Sequence, residues 1–387
     1  MLNPYRNVNW ADVHRVPSTT HLHCKTQKEL DNAYARGIRH FSISNYYPSA
    51  PYNAETRISD FWFHQTWGVP KRDGEMLSPP IDWTKVITWK DELDEEWRNT
   101  IPTGQTEPVF SHIPSDVILS NNAEHHGFAD EARSLHVTSP GSTYCSGNIN
   151  AGNRYHLLHH GFFTGFGGSW RELFEDVLGR LDYPDGGGIV INHPTWFSNF
   201  SDEFVMEMLD FDPRVLGIEI YNHSSYGSTQ NGKRSPDSQD EELGFSLNMW
   251  DRILATGRVC LGFSVPDHHM SDEDNWLGMM VLLVPECTDH ECLRAFRNGN
   301  FYSCLKNNGL SVMEFAVNEQ KAAVRFNANA GIRIIADGET VLETTGDTAE
   351  WNIPQKQGKP AVTYLRVEAS DDTGERLLLQ PVMMKQR

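Results

Sequence analysis

The stretch Gly188-Ile189-Val190-Ile191-Asn192-His193-Pro194 joins a short apolar run to an imidazole. The run is rich in β-branched residues and has the length of a strand that is buried on both faces, as the strands of parallel sheets are. Four more apolar runs lead into polar or ionisable residues: Phe41–Ser44 before Asn45, Val117–Leu119 before Glu124, Val215–Tyr221 before Asn222, and Val259–Val265 before Asp267. We therefore predict buried strands that present polar side chains where they end.

Amphipathic helical patterns lie between these runs. They cover Gln27–Arg36, Trp170–Leu181 and Leu243–Ala255, and each has apolar residues at helical spacing. Strands that alternate with helices predict an α/β domain. Reactive side chains at the C-terminal ends of its strands are what a βα barrel displays at its catalytic face.

The pattern changes from about Leu310 onward. Near-alternating apolar runs are separated there by Asn, Asp and Gly, and no helical pattern interrupts them. We therefore predict a first domain at residues 1–307 and a small antiparallel all-β domain at residues 308–387. The second domain is either a packing appendage or a module that binds a carbohydrate or a partner.

A long segment at about residues 51–112 separates the first strand–helix–strand unit from the next strand. It holds five of the 11 tryptophans of the chain. A connection of this length inside a compact domain is usually functional, so we interpret it as a lid over the site. The alternative is a helical insertion with a core of its own.

Composition limits the classes of partner. The formal net charge of −19 disfavours nucleic acid and anionic membrane surfaces, because both require a surplus of Lys and Arg. No apolar stretch approaches the roughly 18 residues that a spanning helix needs, and residues 1–10 lack the pattern of a secretory leader. We expect a cytoplasmic protein whose substrate is a small molecule; the oligomeric state is left open.

Histidines and carboxylates follow the predicted strands in an ordered pattern. His21 and His23 are two residues apart, so in an extended segment both imidazoles point to the same side and can meet one ion. The other candidates along the chain are Glu124, His136, His193, Asp267 and His269. Mixed imidazole and carboxylate ligation favours zinc, manganese or iron over calcium.

These motifs, taken in order, resemble those of the PHP (polymerase and histidinol phosphatase) family. The matching segments are His21-Leu22-His23, the Glu124…His136 pair, His193-Pro194, Ile218–Asn222 and Asp267-His268-His269. The resemblance covers about residues 14–305. It implies an α/β fold, namely a distorted TIM-like (β/α)7 barrel, here followed by the small sandwich-like all-β domain. It also implies a metal-dependent phosphoesterase.

The resemblance further implies two divalent ions that share Glu124. The first ion would be held by His21, His23, Glu124 and Asp267, and the second by Glu124, His136 and His193. The family has further ligands at the positions of Lys28 and Tyr46, and their replacement here predicts two ions rather than three. Glu219 and Asn222 would support the ligands.

A two-ion centre predicts hydrolysis by a hydroxide that bridges ions about 3.5–4 Å apart. Asp267 and His269 are the catalytic candidates: Asp267 holds an ion, and His269 either protonates the leaving oxygen or supports Asp267. Lys28, Tyr46 and Arg154 are candidates for contacting the phosphate. The alternatives are a solvated lysine at position 28 and a packed aromatic ring at Tyr46. Two other functions remain open, a two-metal hydrolase of a C–N or C–O bond and a degenerate barrel that only binds a ligand.

Overall fold

A computed structural model describes residues 1–24, 27–44, 112–128, 134–142, 169–195, 200–224, 244–267 and 277–385. Within these residues the helices are α1 (Gln27–Ala35), α2 (Trp170–Leu178), α3 (Asp202–Leu209), α4 (Leu247–Ala255) and α5 (Asp289–Asn298). The strands up to residue 304 are β1 (His14–Thr19), β2 (His40–Ser42), β3 (Ile118–Ser120), β4 (Glu124–Phe128), β5 (Ser134–Thr138), β6 (Ile189–Ile191), β7 (Val215–Asn222), β8 (Leu261–Val265), β9 (Met279–Val284) and β10 (Phe301–Cys304).

The remaining strands are β11 (Val312–Val317), β12 (Lys321–Ala336), β13 (Glu339–Asn352), β14 (Gln355–Lys356), β15 (Lys359–Pro360), β16 (Tyr364–Ser370), β17 (Arg376–Leu379) and β18 (Val382–Met383). No helix in the described ranges is long and apolar enough to cross a membrane.

The chain forms two compact units. One comprises Met1–Thr19, His193–Asp267 and Asn275–Arg387, and because it contains both ends of the chain we call it the terminal unit. The other comprises Thr20–Asn192 and His268–Asp274, and we call it the inner unit. The predicted division into residues 1–307 and 308–387 stays a prediction.

The terminal unit is built on an antiparallel sheet in the order β11-β12-β16-β17-β10-β9-β1. All six residues of β9 are buried, as are all four of β10, so these strands form the middle of the core. Beside this sheet, β7 and β8 form a parallel pair. Trp250 of α4 is fully buried, and its indole N–H donates to the carbonyl oxygen of Cys260 at 2.8 Å.

The long strand β12 pairs with three other strands of the C-terminal region. It pairs with β11 through its first half, with β16 through its second half, and with β13 along nearly its whole length. The 14 residues of β13 carry Glu339, Glu343, Asp347 and Glu350 but no Lys or Arg. Among the described residues, β13 pairs only with β12, so its other edge is open.

The inner unit contains the parallel pair β2–β3 and the antiparallel series β4–β5–β6. Helix α2 begins after Ser169, whose side chain and backbone form a capping box with Glu172. Its buried face consists of Trp170, Leu173, Phe174, Val177 and Leu178, and the helix ends at Leu178, three residues before the predicted end at Leu181.

The predicted barrel is wrong. Strand residues outnumber helix residues, 41% to 19%, the sheets are large and mixed, and no closed barrel exists among the described residues. The predicted sandwich-like fold of the C-terminal residues is also wrong, because β17 pairs with β10 and the C-terminal strands other than the separate pair β14–β15 belong to the same sheet. An apolar strand that is covered on both faces has the same sequence pattern in parallel and antiparallel sheets, so periodicity did not distinguish them.

Helix α4 also differs from the prediction, since it begins at Leu247 and not at Leu243. The backbone N–H of Ser246 donates to the carbonyl oxygen of Ile220 at 3.0 Å, and that of Asn222 donates to the carbonyl oxygen of Gly244 at 2.9 Å. These bonds hold residues 244–246 against β7, so the helix starts only after Ser246.

A buried ion network joins α4 to β16 inside the terminal unit. The Arg366 guanidinium donates two hydrogen bonds to the Asp251 carboxylate, both at 2.7 Å, and also pairs with Glu368. Burial alone would raise the pKa of Glu368. The nearby guanidinium groups of Arg366, Arg376 and Arg333 outweigh burial and lower that pKa to about 2.

The depressed pKa of Glu368 predicts acid sensitivity. Its contribution to stability is present above pH 4.5, the ordinary pKa, and is lost as the pH falls toward 2. We expect Glu368→Gln to lower the free energy of unfolding by about 3 kcal/mol at pH 7, because it removes the buried carboxylate that Arg333, Arg366 and Arg376 share. Urea unfolding between pH 7 and pH 2.5 measures both effects, and the variant should show a weaker dependence on pH below 4.5.

Glu350→Gln is the matched control. Glu350 pairs with Lys321 at 2.6 Å, but 63% of its side chain is exposed. An exposed ion pair contributes about 0–1 kcal/mol, so this variant should resemble the unmodified protein. Equal effects of the two substitutions would contradict the assignment of the network as a buried, stabilising one.

Candidate metal site

The two histidines of the His21-Leu22-His23 segment lie on the same side of an extended backbone. The Leu22 N–H donates to the Ser44 hydroxyl, and the Ser44 N–H donates to the Leu22 carbonyl oxygen, each at 3.0 Å. Leu22 is fully buried on one side of the segment, and the imidazoles of His21 and His23 lie together with ring centroids 5.2 Å apart. The alternation of an extended segment therefore separates a core residue from two potential ligands.

The β4–β5 hairpin supplies Glu124 and His136. Glu124 is opposite Thr138 and His126 is opposite His136, so Glu124 and His136 are diagonal neighbours in the pair. Their side chains meet, with Nδ1 of His136 3.1 Å from Oε1 of Glu124.

The Glu124 carboxylate divides its two oxygens between these histidines. Its Oε2 lies 3.3 Å from Nε2 of His21 and 3.3 Å from Nε2 of His23. Its Oε1 faces His136 at 3.1 Å. One oxygen thus belongs to a group with two imidazoles and the other to a group with one. A carboxylate that bridges two metal ions presents its oxygens in the same way.

The distances fit metal ligation. Metal–nitrogen and metal–oxygen bonds of about 2.0–2.2 Å in tetrahedral geometry separate neighbouring ligand atoms by roughly 3.4 Å. The ligand atoms of His21, His23 and Glu124 lie within 4.8 Å of one another. All three residues are buried, and Glu124 is only 1% exposed. A buried carboxylate surrounded by imidazoles is suited to a divalent cation, which would compensate its charge.

Two buried asparagines that the sequence analysis missed hold this group in place. Asn192 accepts from the backbone N–H of Thr138 at 3.0 Å and donates to Oε1 of Glu124 at 3.4 Å. Asn122 donates to the carbonyl oxygens of Thr20 and Ser42, and it accepts from the N–H groups of Ala123 and Ser139, all at 2.7–2.9 Å. The Asn122 side chain thus ties four chain segments together at the site.

Other buried histidines of the inner unit are hydrogen-bonded to serine hydroxyls. His40 shares a 2.7 Å hydrogen bond with the Ser120 hydroxyl, and His125 shares a 2.9 Å hydrogen bond with the Ser139 hydroxyl. Burial lowers the pKa of His40 to about 3, so its imidazole is neutral at physiological pH.

The terminal unit contains the predicted ligands His193 and Asp267. Nε2 of His193 lies 4.0 Å from Oδ2 of Asp267, which is too long for a hydrogen bond. The backbone N–H of His193 donates to Oε2 of Glu219 at 2.7 Å. Asn222 donates from Nδ2 to Glu219 at 2.7 Å and to Oδ2 of Asp267 at 2.9 Å. Ser224 also donates from its hydroxyl to the carbonyl oxygen of Asp267.

The structure thus brings His21, His23, Glu124 and His136 together in the inner unit, and His193 and Asp267 in the terminal unit. The ion assignments that combine residues of both sets stay predictions. Lys28 lies in the first turn of α1 with its side chain exposed, and its contact with a phosphate also stays a prediction. Tyr46, Arg154, His269 and most of the predicted lid at residues 51–112 lie outside the described residues.

Glu124→Gln should remove most of the metal affinity of the inner unit, because the amide lacks the charge and one of the two ligand oxygens. A metal at 100 times its Kd stabilises the folded protein by about 2.7 kcal/mol. After chelation, added zinc or manganese should therefore raise the Tm of the unmodified protein but not that of Glu124→Gln.

His40→Gln is the control for that measurement, since His40 is equally buried in the same unit but bonded to Ser120. It should lower the starting Tm and keep the rise on adding metal. A full metal-dependent rise in Glu124→Gln would contradict the assignment of the site.

A comparison with solved structures gives a distant likeness. No protein-family model and no curated protein matches the sequence. A similar solved structure is that of a two-domain protein from Bacteroides vulgatus ATCC 8482 that contains a predicted PHP-like metal-dependent phosphoesterase. It is 12% identical, with a TM-score of 0.41, and the match covers 98% of this chain and 97% of that chain.

Proposed function

We propose that the protein is a metal-dependent phosphoesterase that hydrolyses a small phosphorylated molecule. The observation that carries the proposal is the division of the Glu124 oxygens, with two imidazoles at Oε2 and one at Oε1. This arrangement favours two divalent ions that share one carboxylate, as in hydrolases with two-metal centres.

The residues would hold the ions in two ligand sets. His21 and His23 would bind on the Oε2 side of Glu124, and His136 on the Oε1 side. Bound divalent ions would supply a water of lowered pKa and would neutralise the charge that develops on the phosphoryl oxygens. Asn192 would keep Oε1 of Glu124 oriented, since its amide donates to that oxygen.

The types of ligand atom limit which metal ions the site would bind. Imidazole and carboxylate donors without thiolate favour zinc, manganese or iron. His193 and Asp267, which face each other in the terminal unit, are proposed as further ligands.

The charge of the chain supports a small substrate. The net charge of −19 repels long polyanions, whereas a small phosphate needs only a local cationic site. Lys28, exposed in the first turn of α1, is proposed as a cationic group for the phosphate. A cytoplasmic location is proposed with it.

The proposal predicts metal-dependent hydrolysis of aryl phosphates. The chelated protein should be inactive toward p-nitrophenyl phosphate and bis(p-nitrophenyl) phosphate, and zinc, manganese or iron should restore turnover of at least one. Loss of a residue that only orients a metal ligand costs about 10–100-fold, so His136→Ala, which removes a ligand, should cost more than 100-fold in kcat/KM. His40→Gln should retain activity in proportion to its folded fraction.

Parallel assays with p-nitrophenyl acetate, a lactone and an amide distinguish the reaction class. Metal-dependent turnover of these substrates alone would overturn the phosphoesterase and indicate attack at a carbonyl carbon. A metal-loaded protein that turns over none of the substrates would overturn the assignment as an enzyme of either class.

A further inference from the structure

Two of the predicted ligands have a backbone conformation that non-glycine residues rarely adopt. His193 has φ = 26° and Asp267 has φ = 44°. Such conformations cost about 1–3 kcal/mol each and persist only where the surrounding structure imposes them. The other non-glycine residues of positive φ among the described ranges are Asn307, Asp337 and Gln357. Contacts near His193 and Asp267 must therefore hold the backbone in these strained conformations.

Glu219 supplies the restraint at His193. Its carboxylate is 1% exposed, and Oε2 accepts the backbone N–H of His193 at 2.7 Å. This bond fixes the orientation of the peptide group between Asn192 and His193, just after the end of β6 at Ile191. A hydrogen bond to a buried carboxylate is among the stronger ones in proteins, so it can offset the strained conformation.

Asn222 connects this restraint to Asp267. Its amide nitrogen has two hydrogens, and the structure divides them between Oε2 of Glu219 at 2.7 Å and Oδ2 of Asp267 at 2.9 Å. The amide thus separates two acidic groups that would otherwise repel each other, and it links the residue that restrains His193 with Asp267 itself.

A β-bulge makes this connection possible. In a regular strand, residues 219 and 222 would point to opposite faces, because they are three positions apart. In the pairing of β7 with β8, Glu219 is opposite Phe263 and Tyr221 is opposite Ser264, so the register shifts between Glu219 and Tyr221. The extra residue Ile220 reverses the alternation and brings the side chains of Glu219 and Asn222 to one side.

We propose that Glu219 and Asn222 are positioning residues that set His193 and Asp267 as metal ligands through this bulge in β7. The proposal rests on the proposed function, in which His193 and Asp267 bind a divalent ion. It adds that the ligand geometry of the terminal unit is imposed by hydrogen bonds from β7.

Titration of the metal-free full-length protein with cobalt(II) alone tests the proposal, because the visible absorption of bound cobalt reports its coordination geometry. We expect Asn222→Ala to weaken cobalt binding about 10–100-fold and to change the spectrum, as the loss of a residue that orients ligands does. Glu219→Ala should have the same effect. Glu219→Gln should largely restore affinity and spectrum, because the amide oxygen can accept the same two hydrogens.

Gln380→Ala is the matched control. The Gln380 side chain is a fully buried amide in the same unit, and it accepts from the N–H and donates to the carbonyl oxygen of Gly262 in β8, both at 2.8 Å. Its loss should lower the Tm but leave the cobalt Kd and spectrum of the folded protein unchanged.

The outcomes separate the two claims. If the unmodified protein binds no cobalt, zinc or manganese, the proposed function fails, and the positioning role fails with it. If the unmodified protein binds cobalt and both Asn222→Ala and Glu219→Ala keep its Kd and spectrum, only the positioning role is overturned. A change in Gln380→Ala equal to that in Asn222→Ala would also overturn it, since the effect would then follow from lost stability.

Discussion

The buried carboxylate of Glu124 is the constraint on which the inner unit depends. A carboxylate that is 1% exposed is costly unless cations or hydrogen-bond donors compensate it. Three imidazoles and the Asn192 amide surround it at 3.1–3.4 Å. The positions of the extended segment before α1 and of the β4–β5 hairpin follow from this requirement, because each must deliver its side chains to the same two oxygens.

Regular and irregular strands have different tasks in this protein. The strands β9 and β10 are regular and fully buried, and they contribute to the core. The bulge in β7 and the positive φ angles of His193 and Asp267 interrupt that regularity where the chain presents candidate metal ligands. The hydrogen bond from the His193 backbone N–H to Glu219 stabilises the irregular backbone at His193 locally.

The sequence predicted the local parts of the site better than the fold. The spacing of His21 and His23 and the pairing of Glu124 with His136 depend on alternation and on one hairpin, so nearby residues reveal them. The roles of Asn122 and Asn192 depend on hydrogen bonds to three and two distant residues, respectively, and an asparagine in a loop has no pattern that identifies them. The barrel prediction failed because buried apolar runs do not encode strand direction.

The open edge of β13 has a consequence for how the molecule behaves in crowded solution. The outward-facing backbone groups of a 14-residue strand that has no second partner strand among the described residues are a template for pairing with another chain, and such edges promote aggregation. Each second copy that approached this edge would bring Glu339, Glu343 and Asp347 and no basic residue of β13, while Glu350 is paired with Lys321 of β12. Repulsion between the identical acidic edges of two copies thus opposes strand pairing between them. Salt that screens these charges would weaken this repulsion.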